Sequence, residues 1–98
     1  MMKLSSTDLF VFAQNRTFLV RLPSFGWNFT LGLLVRLQVG DQTVDGRQVG
    51  TGNHEGRPAI LLSPTGDWTQ AMGAVQAFIA SGSTGSVSEI ERTPEWAV

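Results

Sequence analysis

The chain has 98 residues, of which 42% are hydrophobic and 15% charged, and its formal net charge is −1. A chain of this length builds a single domain, residues 1–98. The near-neutral charge argues against direct binding of nucleic acid, which needs a basic patch. The lack of cysteine excludes disulfides and thiolate metal sites and favours a cytoplasmic protein. No apolar run reaches the roughly 18 residues of a membrane-spanning helix, so we expect no membrane contact.

The amino-terminal residues 6–15 fit two local structures. Ser6 or Thr7 would cap a short helix, whereas the apolar run at residues 9–12 is typical of a strand. The sequence leaves both open. Residues 17–22 alternate apolar and polar side chains and predict a strand.

The clearest pattern spans residues 27–39, where every second side chain is apolar and Leu34 is the one apolar residue between them. A period of two predicts one long strand with one buried face. The preceding turn-forming residues predict that Leu22 pairs with Trp27.

A two-residue turn is predicted next, at residues 40–41. The register that follows places Arg36 opposite Asp45 on the open face of the sheet. We expect the third strand to be short and to end near Val49. A separate turn at residues 45–46 is an alternative.

Residues 50–56 are rich in glycine and predict a flexible hairpin loop. They do not match a phosphate-binding loop, because the glycine spacing differs and a buried strand, residues 57–62, follows instead of a helix. His54, the only histidine, is a candidate general base, although an exposed loop residue without a special role is the simpler interpretation. We therefore predict no catalytic, cofactor-binding or metal-binding residues, and no enzyme activity.

Apolar side chains then recur at helical spacing from Trp68 to Ile79, after an entry segment with a hydroxyl cap and a proline in the first turn. Gly82 ends the predicted helix. Residues 87–92 predict a last strand at the edge of the sheet. Trp96 either folds over that edge or is an exposed anchor at an interface.

Residues 68–88 contain no ionisable side chain, which is unusual for an exposed helix. Small side chains repeat every four residues on the predicted helix and would let another backbone approach. Contact with a second copy or with another protein is one interpretation, and a merely neutral surface is the other. The candidate partner contacts are Leu34, Arg36, His54, Gly73, Ala77, Ser81 and Trp96.

Together these elements predict an α+β fold in the order β-β-β-β-α-β. A mainly antiparallel sheet of three to five strands would carry one amphipathic helix packed on one face. A small, partly open barrel is the alternative.

The chain resembles small phage-encoded inhibitors of bacterial defence, including anti-CRISPR proteins. The resemblance lies in the cysteine-free α+β body, the missing catalytic motif and the opening Met1-Met2-Lys3-Leu4-Ser5-Ser6-Thr7-Asp8. It implies a non-enzymatic protein-binding module that occludes a partner protein or complex in the host cytoplasm. These inhibitors share no motif, so no residue's role is carried over. Many are strongly acidic, and the net charge of −1 departs from that, which favours a protein surface as the target.

Two alternatives to the inhibitor remain. One is a self-assembling structural protein, for which the small-residue face of the helix and an open sheet edge would provide the contacts. The other, less favoured, is a small enzyme that uses His54.

Overall fold

A computed structural model describes residues 1–90, most of which form one antiparallel sheet. The strands are β1 (Met2–Ser5), β2 (Leu9–Phe12), β3 (Thr17–Arg21), β4 (Leu34–Val39), β5 (Gln42–His54), β6 (Arg57–Pro64) and β7 (Thr84–Glu89). A short 3-10 helix, Ser6–Asp8, joins β1 to β2, and the helix α1 (Trp68–Ser81) joins β6 to β7. The order across the sheet is β1-β7-β4-β5-β6-β3-β2.

This sheet of seven strands is curled into a half-barrel. Its two edges, β1 and β2, are consecutive in the chain, and only the 3-10 helix separates them. α1 contacts β2, the 3-10 helix, β4 and β5. Its buried face joins the side chains of the sheet in one hydrophobic core. The chain has seven strands in the order β-β-β-β-β-β-α-β, so the predicted sheet of three to five strands in the order β-β-β-β-α-β, with a helix packed on one face, is wrong.

Residues 27–33 are the largest local error, because they form no strand despite their alternation. Only the second half of the predicted long strand, β4, exists. Gln48, fully buried in β5, holds the segment in another conformation. Its Oε1 accepts a hydrogen bond from Trp27 Nε1 at 2.8 Å, and its Nε2 donates to the carbonyls of Asn28 and Thr30 at 3.1 and 2.9 Å. Two backbone hydrogen bonds add to them, from the Gly32 N–H to the Gln48 carbonyl at 2.7 Å and from the Gln48 N–H to the Leu33 carbonyl at 2.8 Å.

The strand predicted at residues 17–22 is confirmed as β3, but its partners are β2 and β6. The predicted pairing of Leu22 with Trp27 is therefore wrong. The turn at residues 40–41 is confirmed, with Arg36 opposite Asp45 as expected. This register is correct because a two-residue turn fixes the alignment of the strands it joins.

β5 is the longest strand, with 13 residues. The predictions that it ends near Val49 and that residues 50–56 form a flexible loop are both wrong. The turn consists of Glu55 and Gly56 alone, with φ angles of 53° and 79°. Two successive residues in the left-handed region are typical of the turn that joins closely paired strands.

The predicted helix is confirmed, including its end at Gly82, which has a φ of 67°. Its start differs in detail. Asp67 is the cap, since its side chain accepts a hydrogen bond from the Gln70 N–H at 2.9 Å. Pro64 ends β6 and lies outside the helix.

The remaining differences lie at the two ends of the chain. Residues 6–15 contain both the 3-10 helix and β2, so each of the two predicted structures accounts for part of the segment. The strand predicted at residues 87–92 exists as β7, but it lies between β1 and β4 and is not an edge. Trp96 lies outside the described residues.

Candidate functional site

Leu34 and Arg36 lie in β4, and Leu34 lines a shallow cavity of about 600 Å³ together with residues 30–33. Arg36 is exposed and makes two hydrogen bonds to Asp45, at 2.8 Å from Nε and 2.9 Å from Nη2. The hydrogen bonds raise the pKa of Arg36 and lower the pKa of Asp45. Each charge is therefore already matched, which leaves little to attract a charged ligand.

His54 ends β5, and its ring lies against that of Phe10 in β2, with 4.9 Å between the ring centroids. Within residues 1–90 its Nδ1 is buried without a hydrogen-bond partner. The neighbouring carboxylate of Glu55 binds Arg21 Nη1 at 2.7 Å instead. No carboxylate among the described residues therefore orients the imidazole as a general base requires. The described residues also contain no cluster of three acidic or histidine side chains that could hold a metal ion.

A cluster of charges surrounds Asp8, which is almost fully buried. Its carboxylate lies 3.3 Å from Arg21 Nε and 3.1 Å from Arg57 Nη1, and it accepts the Ser5 N–H at 2.9 Å. Burial by itself would raise the pKa of Asp8, but the Ser5 N–H and the two guanidinium groups outweigh it, and the pKa is lowered. Because these groups satisfy one another, the cluster fixes the 3-10 helix to β3 and β6.

The small residues Gly73, Ala77 and Ser81 are exposed on α1, away from its buried face. A Cβ at Gly73 would meet nothing within 4 Å. Ser81 Oγ donates to the carbonyl of Phe78 at 2.9 Å and so helps to end the helix. The structure brings these three residues onto one surface, but it does not join them to Arg36 or His54.

An apolar groove of about 740 Å³ lies between β2 and α1. Phe12 and Ile79 are its most exposed large side chains, at 42% and 36%. The groove is lined by Ser6, Thr7, Leu9, Phe10, Val11, Phe12, Gln76, Ile79 and Ala80. Because successive β2 residues all contribute, the groove follows the edge of the strand and not one of its faces.

No strand among residues 1–90 pairs with the backbone of β2 on the groove side. Leu22 donates to the carbonyl of Pro58 at 2.8 Å, so even-numbered residues of β3 face β6 and odd-numbered ones face β2. In the register of β2 with β3, Phe10 therefore exchanges its hydrogen bonds with β3. Leu9 and Val11 direct their N–H and C=O groups away from β3, toward the groove. The Leu9 N–H closes the last turn of the 3-10 helix, so the open groups are the C=O of Leu9 and the N–H and C=O of Val11.

The two edges of the sheet differ in charge. β1 carries Lys3, which is exposed, and charged side chains of this kind protect edge strands from pairing with other chains. β2 has no charged residue, and neither does α1. The groove therefore combines free backbone hydrogen-bonding groups with an uncharged, apolar lining, which suits an extended peptide chain.

Sequence reasoning missed this groove. The helical spacing assigned Ile79 to the buried face, and nothing in the pattern of residues 9–12 indicated an edge strand beside the helix. The spatial order of strands would have been needed to find it.

Among the described residues, no helix is long and apolar enough to cross a membrane. Comparison of the chain with protein-family models, curated proteins and solved structures gave no match.

Proposed function

We propose that the chain is a non-enzymatic protein-binding module that inhibits a partner protein by occluding part of its surface. The observation that carries this proposal is the apolar, uncharged groove along the open edge of β2. Apolar patches surrounded by polar residues are typical of contacts between proteins. The role of inhibitor comes from the resemblance to small phage-encoded inhibitors, which also implies action in the cytoplasm of a host cell.

The charge distribution supports a protein partner over a nucleic acid. The net charge is −1. Three of the arginines, Arg21, Arg36 and Arg57, form ion pairs with carboxylates. A phosphate backbone requires several free cationic side chains on one surface. The groove offers none.

The test is affinity purification from a host lysate with the wild type and with Ile79→Lys, which places a charge in the groove. Phe25→Lys is the matched control, because Phe25 is 67% exposed and lies outside the groove. We expect a protein that is retained by the wild type and by the control and is lost with Ile79→Lys. With purified components, the groove variant should weaken binding by at least about tenfold. Equal retention by Ile79→Lys would overturn the proposal.

Self-assembly is the second candidate, and the uncharged edge of β2 is the observation that favours it. An edge that pairs with its own copy brings identical residues together, so any charge near the symmetry axis would face a like charge. Light scattering at increasing concentration measures the mass directly against the 10.6 kDa of the monomer. A stable dimer that Ile79→Lys dissociates would replace the inhibitor proposal.

A further inference from the structure

We infer that the occupant of the groove is an extended, uncharged segment of the partner protein, which joins the sheet as a new strand beside β2. This inference rests on the proposed function and specifies what the partner presents. It follows from the backbone of β2, the lining of the groove and the position of α1.

The backbone sets the first requirement. The C=O of Leu9 and the N–H and C=O of Val11 face the open side without a partner among the described residues, and the two carbonyls repeat at every second residue. A second extended backbone provides acceptors and donors at the same repeat. Side chains on a folded surface do not share this repeat. The groove therefore selects a segment that is already extended or becomes extended on binding.

The lining sets the second requirement. Side chains of an added strand would alternate between the helix side, near Ile79 and Ala80, and the outer side, near Phe10 and Phe12. A charged side chain on the helix side would lose its hydration without finding an opposite charge. Gln76 is the one polar side chain that α1 contributes. We therefore expect apolar residues at alternate positions of the bound segment.

The position of α1 favours a partner strand without an adjoining helix over a second copy of this chain. Three residues of α1 line the groove, so the helix stands beside the open edge of its own β2. Two copies paired through β2 would place their strands about 4.8 Å apart. Each helix would then meet the other copy's strand and helix. A partner strand that has no adjoining helix avoids this collision.

The first test selects peptides from a phage-displayed library of random heptapeptides, with Ile79→Lys as the counter-selection target. We expect enriched peptides with uncharged apolar residues at alternate positions. Phe12→Lys should reduce the affinity of a fluorescently labelled selected peptide by at least about tenfold, measured by fluorescence polarisation. Phe25→Lys is the matched control, because Phe25 is 67% exposed but lies outside the groove. It should leave the affinity unchanged.

The second test methylates the backbone nitrogens of the selected peptide one at a time. Methylation at every second position should abolish binding, because those N–H groups face β2, and methylation at the intervening positions should be tolerated. Failure to enrich any peptide, or a loss without this period of two, overturns strand addition. If strand addition fails in this way but Ile79→Lys still loses the full-length partner in the affinity purification, the proposed function stands and only strand addition is overturned. If the groove variants change neither assay, both proposals fail.

Discussion

Replacement of Gln48 by leucine tests why residues 27–33 leave the sheet. Leucine has a similar size and leaves no large cavity, but it cannot form the three side-chain hydrogen bonds to Trp27, Asn28 and Thr30. All three partners lie in the segment that the sequence pattern wrongly predicts as a strand. The variant therefore removes the side-chain bonds that hold this segment, while the backbone hydrogen bonds of Gln48 with Gly32 and Leu33 stay.

The expected cost follows from the number of bonds. A hydrogen bond contributes about 0.5–1.5 kcal/mol net, so the three bonds of Gln48 together contribute about 1.5–4.5 kcal/mol. For a domain of this size, each kcal/mol changes the melting temperature by about 4–8 °C. We expect Gln48→Leu to lower the free energy of unfolding by about 3 kcal/mol and the melting temperature by more than about 10 °C.

Urea denaturation followed by circular dichroism measures the free energy, and hydrogen exchange of residues 27–33 shows whether this segment is released first. Gln38→Leu is the matched control. Its amide also makes three hydrogen bonds, since Nε2 donates to the carbonyls of Gly40 and Gln42 and Oε1 accepts from Thr43 Oγ1, but they lie in an exposed hairpin where water replaces them. We expect that control to cost less than about 1 kcal/mol. If Gln48→Leu costs no more than Gln38→Leu, the explanation of the segment is wrong.

Three further predictions concern acidic pH and two glycines. Because the pKa of Asp8 is lowered on folding from 3.8, its contribution to stability is present above that value and is lost as the pH falls through the folded-state pKa. Acidification from about pH 5 to about pH 3 should therefore destabilise the wild type more than Asp8→Asn in urea titrations, and equal slopes would contradict this. Gly85→Ala should cost about 1–3 kcal/mol in thermal unfolding, because the new Cβ would overlap the carbonyl of Gln38 and lie 3.1 Å from the ring of Phe78. Gly73→Ala should instead stabilise the protein by about 0.5–1 kcal/mol, since nothing lies within 4 Å of its Cβ, and a loss of stability there would reveal a contact not accounted for.

The parts of the fold that were predicted correctly depend on neighbouring residues. The hairpin at residues 40–41 and the end of α1 at Gly82 are set by turn and cap residues next to the elements they bound. The strand β3 follows from local alternation for the same reason. None of these required knowledge of a distant part of the chain.

The wrong predictions share one cause, which is contact between residues that lie far apart in the sequence. Residues 27–33 have the pattern of a strand, yet the buried amide of Gln48, far along the chain, determines their conformation. Gly50 resembles a loop residue, but it lies in β5, where a Cβ would come 3.0 Å from Cδ1 of Leu61, so the glycine leaves room for the Leu61 side chain of β6. The groove was missed because it depends on the order of strands, which places β2 at an edge.

The position of both sheet edges within the first twelve residues has a consequence for synthesis on the ribosome. β1 is made early, but its partner is β7, where Met2 pairs with Val87 and Ser5 with Thr84. At about 5–20 residues per second, several seconds separate the two strands. β2 and β3 can pair at once, whereas β1 stays without its partner until β7 is synthesised. Docking of β1 onto β7 therefore comes late in co-translational folding, and this long-range pairing is expected to slow refolding of the full chain.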